Sequence, residues 1–294
     1  MGDVLLRGLL PARGLRAVFA RVTDTARISS MLHGCYPTSA VLLGQALAAG
    51  VMLGTLQKER ARVNLQVECD GPVGGLLVDA DSEGNVRGYV RHPRVGFAGA
   101  PLAGARAAMG GSGFLSVLRD LGQGRFYRGS VELSGLDLAG HLRRYFAESE
   151  QVATALDLQV VPRGAEPLGE VAGLLVQRLP GEPEEPVAEV ARRLEAGSLR
   201  AALEAGLGAM ETVQAASGEE LELLAEHEVA FRCSCSAERA RNAVSALGLE
   251  GIADVLEGER QAVITCEFCR QRYVVPEEEL RQMAERLAAR GGRA

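Results

Sequence analysis

Four cysteines near the C-terminal end constrain what this 294-residue chain can fold into more than any other feature. Cys233-Ser234-Cys235 and Cys266-Glu267-Phe268-Cys269 make two close pairs with thirty residues between them. Together they offer four soft thiolate donors, the ligand type and number that a tetrahedral structural zinc takes. One Zn2+ per chain is therefore expected on Cys233, Cys235, Cys266 and Cys269. With every position filled by sulfur, no coordination site remains for water or substrate, which argues against zinc hydrolysis and for a protein that is not an enzyme. The surrounding segment has little else to hold it. Ser236 is placed to cap a helix running to about Leu247 and ended by Gly248. Ile252, Val255 and Leu256 begin a second short turn, and Ala262 to Thr265 reads as a strand. A core this small needs a metal or disulfides to stay folded. Zinc binding to such modules contributes on the order of 10–16 kcal/mol, more than the net stability of a small domain, so oxidising the ligands is an unfolding signal. Arg232, Arg239, Arg270 and Arg272 flank the cysteines and either offset thiolate charge or are solvated surface.

The first 180 residues alternate strand-like and helix-like patterns. Val63 to Cys69 alternates apolar and polar residues strictly, and Asp70-Gly71 follows as a turn. Gly74 to Asp79, Val86 to Val90, Phe114 to Leu118 and Arg125 to Leu133 read as further strands joined by short turns, which implies mostly antiparallel pairing. Helical patterns at Ser39 to Gln57 and Leu136 to Glu148 interrupt the strands irregularly, so the fold class is α+β, not a doubly wound sheet. The stretch from Gly34 to Gln57 is uncharged and long enough to cross a membrane, but its Pro37, Thr38, Ser39, Gln45 and glycines fit a buried helix better.

Pro180-Gly181-Glu182-Pro183-Glu184-Glu185-Pro186 marks a boundary. Between Gly181 and Ala230 twelve acidic residues face three basic ones, a local charge of −9 against −6 for the whole chain. Leu199, Leu203, Leu207 and Met210 fall on one helical face, as do Val187, Val190 and Leu194, so this segment reads as short amphipathic helices in need of a partner surface. Pro276 and Glu277-Glu278-Glu279, with Arg286 and Arg290 before Gly291-Gly292, signal a terminal helix striped with Leu280, Met283 and Leu287. The chain thus divides into an N-terminal, mostly antiparallel sheet domain with packed helices over residues 1–180, an acidic helical linker over 181–229, and a small four-cysteine zinc domain over 230–294.

Met1-Gly2-Asp3-Val4 opens no secretory signal, which points to a cytoplasmic protein. In a reducing compartment six cysteines argue for metal or redox chemistry over a disulfide framework, while the isolated Cys35 and Cys69 read as ordinary thiols. Four-cysteine zinc modules often bind nucleic acid, but the acidic linker and the lack of a basic stripe with interleaved aromatics oppose phosphate contact. Cys266-x-x-Cys269 permits a thiol oxidoreductase, yet Gln271 to Val275 looks extended where that chemistry needs a helix. His33 precedes Cys35 by two residues without an identifiable third orienting group. Accordingly His33, His92, His141 and His227 read as structural or surface residues. Gly110-Gly111-Ser112-Gly113 lacks the Lys-Ser/Thr of a phosphate loop and reads as a plain loop.

Phe231-Arg232-Cys233-Ser234-Cys235-Ser236 and Cys266-Glu267-Phe268-Cys269, followed by Tyr273, resemble the 33 kDa heat-shock chaperone family. Val86-Arg87-Gly88-Tyr89-Val90, Tyr127-Arg128-Gly129-Ser130-Val131 and Tyr145-Phe146-Ala147-Glu148-Ser149-Glu150-Gln151 are similar to segments of that family's N-terminal domain, so the resemblance covers essentially the full length. One departure is Arg270, directly after the second cysteine pair, where a small turn-favouring residue is easier to accommodate. The resemblance implies a redox-regulated, ATP-independent holdase chaperone that binds unfolding client proteins under oxidative and heat stress. It implies a reduced, zinc-bound, inactive monomer and an oxidised, dimeric form with two disulfides, lost zinc, an unfolded linker and exposed apolar surface. Neither nucleic acid nor membrane is an expected partner. Within each pair the cysteines are neighbours at high effective concentration, so the disulfides expected on oxidation are Cys233–Cys235 and Cys266–Cys269.

Overall fold

The structure, a computed structural model, describes residues 2–56, 62–97, 101–120, 122 and 124–291. The chain falls into two compact units, Met1–Arg232 and Cys233–Ala294. The first begins with β1 (Val4–Leu10), β2 (Leu15–Arg21), α1 (Thr23–His33), α2 (Pro37–Thr55), β3 (Arg62–Cys69), β4 (Gly75–Asp81), β5 (Asn85–Val90) and α3 (Pro101–Met109). It continues with β6 (Gly113–Asp120), β7 (Phe126–Glu132), α4 (Leu138–Tyr145), β8 (Thr154–Arg163) and β9 (Glu166–Arg178). Then follow α5 (Glu185–Glu195), α6 (Ser198–Glu204), α7 (Ala209–Ser217), β10 (Glu222–Glu228) and β11 (Ala230–Phe231). One sheet has the order β10-β1-β2-β9-β8 and the other β11-β5-β4-β3-β6-β7; all neighbours are antiparallel except β11, which runs parallel to β5. The fold is α+β, as the strand patterning implies.

The uncharged stretch after Gly34 becomes α2, at the centre of this unit. Its Leu42, Leu43, Leu47, Met52 and Leu53 share one core with Leu5 and Val18 of the first sheet and Val63, Leu65 and Val78 of the second. By length and composition α2 could cross a membrane, but 94% of its apolar window is buried among these side chains. The close approach needs Gly50, where a Cβ atom would stand 2.5 Å from Val78 Cγ1. Gln57, the expected end of this helix, lies outside the described residues, as does Gly292. The helix expected to run to Glu148 stops at Tyr145, and a π turn over Phe146–Glu150 follows. Glu150 accounts for the break. It accepts the Tyr145 hydroxyl at 2.5 Å and Arg119 Nη1 at 2.9 Å, and Gln151 closes the turn at φ 54°.

The acidic segment finds its partner surface on the other face of the first sheet. Val187, Val190, Leu194, Leu199, Leu203 and Val213 form a second core with Leu6, Leu10, Leu15, Phe19, Leu174 and Val176. Each such side chain contributes about 1.5–3 kcal/mol when fully buried. Polar contacts hold the seam: Arg21, 3% exposed, donates Nη2 to the Leu207 carbonyl at 2.9 Å, and the Ala12 amide donates to Glu219 Oε1 at 2.7 Å. Two details differ from the sequence reading. The Leu199–Leu203 stripe does not continue to Met210, which is exposed, because Gly206 turns left-handed at φ 69° and ends the helix. Residues 222–228 are also not helical. They form β10 because the edge of β1 presents unpaired amides and carbonyls, and a ladder satisfies both strands.

The β1–β10 register shifts between Arg7 and Gly8. A Cβ at Gly8 would run into the Glu222 carbonyl oxygen and stand 2.8 Å from the Leu221 side chain. Gly8→Ala is therefore expected to loosen β10 selectively. Amide exchange across 222–228 should speed up about tenfold, equivalent to ~1.4 kcal/mol, while β3 to β7 keep their rates. Uniform acceleration would contradict this.

The second unit contains α8 (Ala237–Ser245), α9 (Gly248–Glu257), β12 (Gln261–Thr265), β13 (Arg272–Pro276) and α10 (Glu277–Gly291). β12 and β13 pair antiparallel, and the buried apolar cluster is Val244, Ile252, Val275, Leu280 and Met283.

Candidate metal centre

Two local structures carry the cysteines. Cys233 and Cys235 lie on an extended segment that enters α8, where Ser236 Oγ accepts the Arg239 amide at 3.2 Å as the helix cap. Cys266 and Cys269 occupy the turn from β12 to β13, which is closed by the Cys266 amide on the Gln271 carbonyl and the Arg270 amide on the Cys266 carbonyl, both at 2.9 Å. That turn requires a left-handed residue after Cys269, and Arg270 supplies it at φ 59°. The departure noted in the sequence is thus a strained position. Arg270→Gly is expected to stabilise the unit by about 0.5–1 kcal/mol, read as a higher urea midpoint of the reduced protein. The exposed Arg270–Glu267 pair at 3.2 Å offsets little of this.

The four sulfurs all lie within 4.8 Å of one another. Cys233 Sγ is 3.6 Å from Cys266 Sγ, and Cys235 Sγ is 3.3 Å from Cys269 Sγ. A tetrahedral ion with metal–sulfur bonds of ~2.3 Å spaces its sulfurs about 3.8 Å apart, so the donor set fits a single metal ion. Burial pushes the Cys269 thiol up to about 12, and the neighbouring sulfurs of Cys235, Cys233 and Cys266 add to the effect. Burial also raises Cys266, with Cys233 adding. Four thiolates at this spacing repel one another, so a cation must replace the protons for all four to ionise.

Tyr273 donates its hydroxyl to Cys235 Sγ at 3.1 Å, and that bond above all pushes the phenol up to about 12. No spacing rule marks Tyr273 as a sulfur partner; it reaches the cluster because β13 turns back beside β12. The flanking arginines engage other groups: Arg239 Nη1 donates to Ser234 Oγ at 2.8 Å, and Arg270 Nη1 to Glu267 Oε2. Arg232 and Arg272 are exposed.

The remaining sequence candidates lie elsewhere. Cys35 and Cys69 are half-buried against the first core, and burial raises both thiols, Cys35 to about 11, which opposes thiolate chemistry. His141 is buried in α4, His33 stacks 6.0 Å from the Tyr89 ring, His92 Nδ1 lies 3.0 Å from the Pro72 carbonyl, and His227 sits on β10. The Gly110–Gly113 loop offers its Gly111 and Ser112 amides to Asp70 Oδ1, both at 3.0 Å. The chain's own carboxylate therefore fills that cradle, and these bonds lower its pKa.

Known proteins share both the sequence and the fold. A family model described as Hsp33 protein matches residues 3–276. The 33 kDa chaperonin of Bacillus subtilis (strain 168) is 32% identical over 281 residues, spanning 95% of this chain and 97% of its own. The 33 kDa chaperonin of Geobacillus kaustophilus (strain HTA426) is 33% identical over 290 residues, spanning 97% and 98%. The crystal structure of the 33 kDa chaperonin (heat shock protein 33 homolog) from Thermotoga maritima matches with a TM-score of 0.87 at 25% identity, over 98% of this chain and 100% of that one. Given a match along nearly its whole length, the chain belongs to the Hsp33 family of 33 kDa chaperonins.

Proposed function

We propose that this chain is a redox-regulated, ATP-independent holdase whose switch is a zinc site formed by Cys233, Cys235, Cys266 and Cys269. The carrying observation is that four sulfurs gather within 4.8 Å in a unit whose fully buried apolar cluster, among the described residues, is five side chains with a few half-buried ones packed against it. The sulfur cluster and the fold around it therefore stand or fall together. When bound, zinc ties the two cysteine segments and neutralises thiolate charge. The family implies client proteins as partners, and residues 1–180 are their binding domain, 181–229 the linker and 230–294 the switch.

Oxidation removes the donors. As zinc-bound thiolates already stripped of their protons, Cys233 with Cys235, and Cys266 with Cys269, would each pass two electrons to the oxidant as one sulfur–sulfur bond forms, leaving no thiolate to hold the ion. These bonds close rings too short to restrain the unfolded chain, and they leave the two segments untied. The observed contacts of Cys233 with Cys266 and of Cys235 with Cys269 belong to the folded unit; once it opens, sequence adjacency governs pairing. The linker, already self-repelling at a net −9, then loses its anchor and uncovers Leu6, Leu10, Leu15, Phe19 and Leu174. The reduced form is a monomer, the oxidised form a dimer, and the reducing cytoplasm is where such a switch responds to stress.

Light scattering of a heat-unfolding enzyme tests this. Oxidised protein should suppress aggregation near stoichiometric ratio without nucleotide, zinc-loaded reduced protein should not, and dithiothreitol with zinc should reverse the effect. Equal suppression by both forms contradicts the proposal.

A further inference from the structure

The segment from Leu221 to Arg232 occupies the edges of both sheets in the first unit. β10 pairs with β1 from Val4↔Glu228 to Leu9↔Glu222, and β11 pairs with β5 before the Arg232 amide donates to the Val86 carbonyl at 3.1 Å. Side chains contribute little to this hold. Leu221 and Val229 are each 4% exposed and peg the two ends, but between them Leu223 is 41% and Leu224 is 55% exposed, and Glu222, Glu226 and Glu228 face solvent. What retains β10 is its backbone ladder, an interaction indifferent to sequence. Cys233, the first cysteine of the cluster, follows Val229 by four residues.

The strand beneath has different chemistry. β1 carries Leu5 into the first core and Leu6 and Leu10 into the second, so both faces flanking its edge are apolar. With β10 and the linker helices gone, β1 would present unpaired amides and carbonyls directly beside Leu6, Leu10, Leu15 and Phe19. Such an edge is a template for any extended chain, which resting proteins keep covered.

We propose that the oxidised protein captures clients by strand addition: an extended segment of an unfolding protein, apolar at alternate positions, takes the place of β10 on the edge of β1. This rests on the linker-release reading above. The occupant is a client because the slot has the geometry of an antiparallel strand, and β10 fills it with glutamates where apolar alternation would add contacts to the neighbouring face. Main-chain pairing supplies affinity without sequence preference, while the apolar face selects chains that have lost their cores. In the resting state β10 guards the edge.

Two labelled twelve-residue peptides with alternating valine and threonine provide the test, one of them N-methylated at four consecutive central residues. Methylation removes ladder donors from both peptide edges while adding apolar surface. Oxidised full-length protein should bind the unmethylated peptide at least tenfold more tightly by fluorescence anisotropy. That peptide should also slow amide exchange in residues 4–10, and zinc-loaded reduced protein should bind neither. Equal affinity for both peptides, or none, in a preparation that still suppresses aggregation overturns strand addition and leaves the holdase reading standing. Binding of neither peptide with no suppression of aggregation overturns both. Slow exchange in residues 4–10 without peptide, in a dimer on sizing, assigns the edge to β10 of a second copy and also overturns the proposal.

Discussion

Replacing Cys266 by serine is expected to take zinc occupancy from about one per chain to below a tenth and to unfold residues 233–294, while the first unit keeps its structure. A serine hydroxyl is a hard, protonated donor where the site needs a soft thiolate. Structural zinc contributes on the order of 10–16 kcal/mol to modules of this kind. Val244, Ile252, Val275, Leu280 and Met283 are too few to replace it. Their burial cannot offset the entropy of ordering roughly sixty residues. Surface pairs such as Arg260–Glu277 and Arg281–Glu277 add little, because both arginines are largely exposed. Limited proteolysis combined with metal analysis checks this: cuts should fall first within 233–294, and early cleavage within 2–180 would contradict it.

The second large effect concerns the clamp between sheet and linker. Arg21 sits on β2 in the second core's wall, donates to the Leu207 carbonyl at 2.9 Å, and lies 3.5 Å from Glu170, which also accepts Arg163 at 2.8 Å. Arg21→Met keeps the alkyl packing and removes the charge-assisted bond, at a cost of about 1.5–3 kcal/mol. Linker release should then be about 10–100-fold more populated in the reduced, zinc-loaded protein. Hydrogen exchange should show faster opening across 198–217 with β3 to β7 unchanged, and aggregation suppression should begin at lower oxidant. A variant whose exchange rises evenly through the first unit would show that Arg21 supports the sheet and not the linker.

How much of this was legible in the sequence follows from the range of each interaction. The cysteine pairs and the Ser236 cap are local patterns: the four sulfurs gather within 4.8 Å, and Ser236 Oγ accepts the Arg239 amide at the start of α8. The period of Val63 to Cys69 and the stripe Val187, Val190 and Leu194 also held, because alternation and helical spacing are set within a few residues. β10 was not legible: Glu222 to Glu228 reads as one more acidic helical stretch, and its partner lies more than 200 residues away on β1. The early end of α4 was hidden for a related reason, since Arg119 arrives at Glu150 from β6. Tyr273 reached Cys235 through a strand reversal that spacing does not encode. Long-range pairing, not local propensity, decided each of these positions.

One titration tests the zinc switch most directly. Reduced, zinc-loaded protein is exposed to increasing hypochlorite, and each sample is divided for released zinc, disulfide mapping and suppression of aggregation of a heat-unfolding enzyme. The predicted result is that one zinc per chain is released in step with the gain of activity, and that mapping finds Cys233 joined to Cys235 and Cys266 joined to Cys269. Full suppression of aggregation with zinc still bound, or crosslinks running between the two pairs in the active protein, would contradict it.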